Sequence, residues 1–156
     1  MFSDVIRALK SREGIRVEVL IPDFSGNQDA LQMVLQAGPD ILNHNMETVR
    51  ELYSVARPQA DYQRSLTLLH RASTVLGEHR VKSGVMVGLG ESRSQLSVLF
   101  KDLRAAGVGR LTVGQYLQPS KDQLPIDRFP DPAEFADIRT EALELGFRAV
   151  ASGPLV

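Results

Sequence analysis

Cysteine is absent from the sequence. Disulfides are therefore excluded, and so is thiolate ligation of zinc or of an iron–sulfur cluster from within this chain. Histidine is scarce: His44, His70 and His79 are too scattered to suggest a histidine metal site. No apolar run approaches the roughly 20 residues that a membrane-crossing helix needs. The N-terminus lacks the basic stretch followed by an apolar one that marks a secretory signal. An excess of one charge is missing too. Lys plus Arg number 18 against 19 Asp plus Glu, a formal charge of -1, and this gives no sign of a broad basic surface for nucleic acid. The default expectation is a cytoplasmic protein with neither nucleic acid nor membrane as partner.

What is present suits one globular domain, or part of one. The 156 residues are 43% hydrophobic, enough for a real core. The most informative stretch is Val81 to Glu91, Val-Lys-Ser-Gly-Val-Met-Val-Gly-Leu-Gly-Glu. Val81, Val85 and Val87 are β-branched and Met86 keeps the run apolar, which predicts a buried strand. Gly88 and Gly90 then allow a sharp turn or the close approach of a ligand. Glu91 falls near the start of a helix, where the helix dipole favours negative charge. The stretch fails as a dinucleotide fingerprint, because Arg93 stands where the third glycine belongs. It fails as a phosphate loop for want of a Gly-Lys-Ser/Thr. A plain strand-to-helix connection and a ligand-facing turn both fit it.

Elsewhere strand and helix signals alternate. Helices are predicted from Ser3 to Lys10 with Ser3 as N-cap, and then over about 28–37, 46–56, 65–76, 94–106 and 132–146. Asn45 would cap the third, with Glu47 in its first turn. Strands are predicted over 15–21, 40–43, 110–115 and 147–151 besides the Val81 run. Such alternation implies a mostly parallel sheet of five strands. The fold class is α/β: a partial β/α (TIM-like) barrel with parallel strands, incomplete at its N-terminal side, in a single domain over 1–156. An exposed barrel edge is expected with it, and a tendency to associate.

In such a barrel the C-terminal ends of the strands converge on one pocket. They carry Asp23, then Asn43, His44, Asn45 and Glu47, then Gly88, Gly90 and Glu91, then Gln115 and Tyr116. Each has an ordinary structural alternative: a cap for Asn45 and Glu47, a turn for Asp23, a hydrogen-bonded core histidine for His44. An amide and a phenol at an apolar strand end cost a few kcal/mol unless partnered, so Gln115 and Tyr116 point to a polar pocket. No nucleophile triad or carboxylate pair emerges from the spacing.

Several segments together resemble one family. They are Val17-Glu-Val-Leu-Ile-Pro-Asp-Phe24, His44-Asn-Met-Glu-Thr-Val49, Arg57-Pro58, Asp61-Tyr62-Gln-Arg-Ser-Leu66, Lys82-Ser-Gly-Val-Met-Val-Gly-Leu-Gly-Glu91, Thr112-Val-Gly-Gln-Tyr-Leu-Gln-Pro-Ser120, Gly146-Phe147 and Ser152-Gly-Pro-Leu155. In this order, and running almost from end to end, they resemble the lipoyl synthases, radical S-adenosylmethionine enzymes. The resemblance implies an enzyme that attaches two sulfur atoms to an octanoyl chain carried on a lysine of a lipoyl carrier domain, its partner. It implies S-adenosylmethionine and two 4Fe-4S clusters as cofactors of the complete enzyme. One cluster cleaves S-adenosylmethionine to the 5′-deoxyadenosyl radical, and the auxiliary cluster is consumed as the sulfur source.

The family's two cysteine motifs and its Arg-Ser-Ser-Tyr, which supplies a serine ligand, have no counterpart here. The resemblance therefore implies the C-terminal part of the barrel, with no cluster ligands in this chain and no activity of the chain alone. By similarity Asn45 and Glu47 face the ribose or methionine part of S-adenosylmethionine. Lys82 faces a carboxylate or another polar group of the cofactor, and Val85 to Gly88, with Met86, lie against adenine. Gln115 and Tyr116 line the centre, and His44 and Arg64 contact substrate or carrier domain. Two readings stand beside it: a cluster-free β/α module that binds S-adenosylmethionine or a lipoyl carrier domain, and an unrelated β/α enzyme that holds a phosphate at the Gly88–Gly90 turn.

Overall fold

The computed structural model describes residues 1–156. Five strands form one open sheet in the order β1-β2-β3-β4-β5: β1 (Glu18–Leu20), β2 (Ile41–Asn43), β3 (Val81–Val87), β4 (Arg110–Gln115) and β5 (Ala149–Ser152). Every neighbouring pair is parallel. The order follows the chain without a reversal. Successive right-handed crossovers in that order lay the helices on one face, the single-wound arrangement of a β/α barrel wall. The sheet does not close, so the expected partial barrel is what forms, with β1 and β5 as its edges.

Alternation along the strands sorts the side chains. Val19, Leu42, Val81, Val85, Val87, Leu111 and Val113 are buried under the helices. Glu18, Leu20, Ile41, Lys82, Met86 and Thr112 share the opposite, concave face and are at least partly exposed. The helices are α1 (Phe2–Lys10), α2 (Gln28–Gln36), α3 (Tyr53–Ala56), α4 (Tyr62–Leu76), α5 (Arg93–Ala105) and α6 (Pro132–Glu144). Their inward rows supply Leu31, Leu35, Leu69, Ala72, Leu96, Leu99, Phe100, Leu103, Phe135 and Ile138, all buried.

Local chemistry sets the helix starts. Asp61 accepts from Arg64 N at 2.6 Å and opens α4 three residues before the predicted start. Ser92 and Gln95 form a reciprocal capping box on α5. Asp131 caps α6, with Pro132 in its first turn.

Two local expectations are corrected. Ser3 is not the N-cap of the first helix; α1 begins at Phe2, whose ring packs edge-to-face on Phe24 at 5.9 Å, and Ser3 is buried within it. The predicted helix over 46–56 is largely absent. Glu47 N donates to Gly84 O at 3.0 Å and Met86 N donates to Glu47 O at 2.7 Å, so the chain is still paired to β3 there. Helix forms only from a short 3-10 turn at Arg50 through α3, and Asn45 caps nothing.

Phe100 is fully buried, and its ring meets Phe147 edge-to-face at 6.2 Å. Phe100→Ala is expected to destabilise the protein by about 3–5 kcal/mol, read as a lower urea midpoint with an unchanged m-value.

Candidate functional site

The concave face opens into a cleft at the C-terminal ends of β1 to β4. The break in regular pairing between β2 and β3 creates it. His44 N bonds Lys82 O and Glu47 N bonds Gly84 O, so three residues of one strand answer two of the other. This is a bulge, and such an extra residue re-aims the side chains beside it. Glu47 accommodates it with φ 65°, a left-handed conformation that a non-glycine residue rarely adopts.

Two depressions result, of about 340 and 210 Å³. The first is lined by Leu20, Ile21, Pro22, His44, Asn45, Glu47 and Arg57. The second is lined by Glu47, Thr48, Ala56, Arg57, Met86, Leu89, Tyr116, Pro119, Gln123 and Leu124. Glu47 and Arg57 line both, so the two depressions adjoin. The larger of the two reaches the range of about 300–1,000 Å³ that takes a small organic ligand.

The polar lining is poorly satisfied from within. Asn45 Oδ1 and Thr48 Oγ1 are buried without a hydrogen-bond partner, and so is Asn43 Oδ1, deeper on the same face. The Asn45 amide lies against Gly84, where a Cβ would stand 2.7 Å from Oδ1; only glycine leaves it that place. Glu47 takes no part in the ion pairs of the chain. Buried polar atoms are normally paired, and orphans of this kind mark a place where a partner belongs.

Arg57 is the site residue that sequence reasoning passed over. It donates from Nη1 to Asn45 O at 3.2 Å, Met46 O at 3.1 Å and Tyr53 Oη at 3.1 Å. It thus ties down the bulge while facing both halves of the cleft. Its signal was slight, a single arginine before Pro58.

His44 lies in the cleft floor with both ring nitrogens occupied, Nδ1 on Ile21 O and Nε2 on Ser65 Oγ, each at 2.9 Å. A carbonyl only accepts, so Nδ1 carries the proton and Nε2 accepts from the serine. Burial holds this imidazole below its ordinary value, outweighing the Ile21 hydrogen bond, with Arg57 adding repulsion. Burial likewise raises the Tyr53 phenol.

Met86 and Tyr116 line the second depression with Glu47, and Asn45 lines the first with Glu47. The other candidate residues lie elsewhere. Lys82 is near the beginning of β3, paired with Glu18 at 2.7 Å. Arg64 is in a separate depression between α2 and α4, with Nε on Asp23 at 2.6 Å. Desolvation pushes the Asp23 carboxyl up, but the Ser25 N–H and Arg64 outweigh it and leave it below the usual range.

Gln115 has the strand parity of buried Val113 and donates to Tyr116 O at 2.8 Å and Arg128 O at 3.2 Å. Tyr116 Oη donates to Leu124 O. Backbone carbonyls of the following loop thus satisfy both side chains that sequence analysis assigned to a polar pocket.

Gly88 has φ 99°, and a Cβ there would stand 2.5 Å from Arg128 O and from Gln115 Nε2. Its close approach is to this chain's own loop. The N–H groups of Gly88 and Leu89 are taken by the two Glu91 oxygens at 2.8 and 2.9 Å. A carboxylate already fills the cradle a phosphate would need. Glu91 therefore closes the turn, and Ser92 caps α5 in its place.

The His44 geometry fixes a pH dependence. The unfolded imidazole takes up a proton as pH falls through its ordinary 6.5, while the buried one stays neutral to lower pH. Stability from this group is thus complete above that value and is lost as pH falls toward the folded pKa. Stability from urea unfolding should decline on acidification below about pH 6.5, this group contributing no more than about 1.4 kcal/mol per pH unit, and the decline should be shallower in His44→Gln.

No protein-family model matches the chain. Curated relatives match along essentially all of it. It is 51% identical over 156 residues to the lipoyl synthase of Alkaliphilus metalliredigens, covering 99% of this chain and 54% of that protein. To the lipoyl synthase of Koribacter versatilis it is 49% identical over 157 residues, 100% of this chain and 52% of that one. To that of Chlorobium phaeovibrioides it is 48% identical over 156 residues, 99% and 55%. The chain spans about half the length of these relatives. With such identity along its whole length and the barrel-wall fold described above, the chain belongs to the lipoyl synthase family.

Proposed function

We propose that this chain forms the S-adenosylmethionine-binding part of the barrel wall of a lipoyl synthase. The complete enzyme, on this reading, inserts two sulfur atoms into the octanoyl chain of a lipoyl carrier domain. The observation that carries the reading is the unsatisfied polar lining of two adjoining depressions: Asn45, with an unpartnered Oδ1, in one, Thr48, with an unpartnered Oγ1, in the other, and Glu47, which makes no ion pair, in both. Such acceptors suit an ammonium group and ribose hydroxyls. Arg57 suits a carboxylate, and Met86, Leu89 and Tyr116 offer apolar surface to a base. The residues present therefore fit S-adenosylmethionine, which when bound supplies the radical chemistry of the reaction. Asn45 and Glu47 bind it, Arg57 holds the bulge that aims them, and Tyr116 walls the cleft from its β4 side.

The iron–sulfur clusters do not fit this chain. It has no cysteine and no grouping of three metal-ligating side chains. No step is assigned through them, and the chain alone is expected to be inactive. No helix is long and apolar enough to cross a membrane.

The test is a transplant. The matching half of the Alkaliphilus metalliredigens protein is replaced by these 156 residues. The chimera should bind S-adenosylmethionine and form the lipoyl group. Asn45→Ala and Glu47→Ala should each weaken binding about tenfold or more, the loss of a hydrogen bond to a charged or strongly polar group. A folded chimera that binds no S-adenosylmethionine, or unchanged affinity in both variants, overturns the reading.

A further inference from the structure

The segment between β4 and α6, residues 116–131, has no helix or strand of its own, yet it supplies Tyr116, Pro119, Gln123 and Leu124 to the cleft. Long irregular segments hold a fixed course only where something outside them fastens them. The Tyr116 N–H is held by Val87 O at 2.8 Å where the β4 ladder runs out, and most of the remaining fastenings converge on one residue. The Arg128 guanidinium forks onto Glu134 in the first turn of α6, Nη1 to Oε2 at 2.6 Å and Nη2 to Oε1 at 2.7 Å. The same guanidinium stands 3.8 Å from Glu91 Oε1, whose side chain is fully buried. Arg128 O accepts from Gln115 Nε2 at 3.2 Å, at the end of β4. Its neighbour Asp127 donates its N–H to Gly88 O at 2.9 Å.

Arg128 thus reaches three separate elements: the β3–α5 turn, the end of β4 and the start of α6. Glu91 is the inner half of the device. Two turn N–H groups take its oxygens on one side, and Arg128 is the cation nearest it. A buried carboxylate left without that charge is costly, so the turn and the segment each hold the other in place. The Glu134 hydrogen bonds raise the affinity of Arg128 for its proton, and Arg128 keeps the Glu134 carboxyl below its usual range.

We infer that Arg128 is a positioning residue: it clamps the 116–131 segment onto the Gly88–Glu91 turn and so sets the wall of the cleft that Tyr116 and Leu124 form. The clamp itself stands on the contacts of Arg128. Its bearing on ligand affinity rests on the S-adenosylmethionine reading above.

Hydrogen exchange separates the two. In Arg128→Gln the amides of Leu89, Tyr116 and Asp127 should exchange about tenfold faster, while those of Val85 and Val113 in the sheet stay within about twofold. Arg128→Lys keeps a charge near Glu91 but cannot fork onto Glu134, and should restore protection at Leu89 more than at Asp127. In the chimera, Arg128→Gln should weaken S-adenosylmethionine binding about tenfold while the amides of Val85 and Val113 keep their protection. Unchanged exchange in the 116–131 segment overturns the clamp. So does exchange accelerated uniformly through the sheet, which marks a general stability residue. Local acceleration in a protein whose parent chimera binds no S-adenosylmethionine leaves the clamp in place and removes the cofactor reading.

Discussion

The register break between β2 and β3 is the constraint on which the site depends. Had pairing continued past His44 without the extra residue, every following side chain would have changed face. Asn45 would have lost its place over Gly84, and Glu47 would not bond Gly84 and Met86 as it does. Holding Glu47 at φ 65° costs energy, of order 1–3 kcal/mol for a non-glycine residue in that region. The compensation comes from the Arg57 hydrogen bonds to the carbonyls of Asn45 and Met46 and from the two ladder bonds of Glu47. Buried His44, anchored at both nitrogens to Ile21 and Ser65, fixes the point where the strand departs. A strained backbone beside unpartnered oxygens is what a binding site looks like before its ligand is considered.

Much of the fold was legible because local and global preferences agree. The β-branched run ending at Val87 reads as a buried strand and is one. Gly77, Gly107 and Gly146 all adopt positive φ close after helices, as their positions suggest. Alternation of strand and helix signals was enough for a parallel sheet. The partial barrel was read from that alternation before the family resemblance was drawn, although alternation alone also permits a doubly wound sheet.

The site was legible in part. Asn45 and Glu47 line one depression and Glu47, Met86 and Tyr116 the adjoining one, but Asn45 and Glu47 were also read as helix-start residues because Asn followed by Glu is ordinary capping chemistry. A bulge is invisible to a periodicity argument, since it depends on which carbonyl of another strand each amide meets. Gln115 and Tyr116 were singled out as polar groups that imply a pocket, but backbone carbonyls take them up. Apart from the adjacent Tyr116 O, those partners are carbonyls 8 to 13 residues further along the chain, and no spacing rule reports them. Arg57 was quoted among the family segments but given no role, because it binds backbone, and a backbone carbonyl leaves no trace in residue type.

The strand order has a consequence for how the molecule is assembled. Each strand pairs only with the strand before it and the strand after it, so no late segment must be threaded between two early ones. The sheet grows at a single moving edge, as stacked repeats do, each step closing a loop of modest length. Synthesis delivers the units in that same order, and each new strand finds its template already in place. Such a chain can accumulate structure vectorially, one β/α unit at a time.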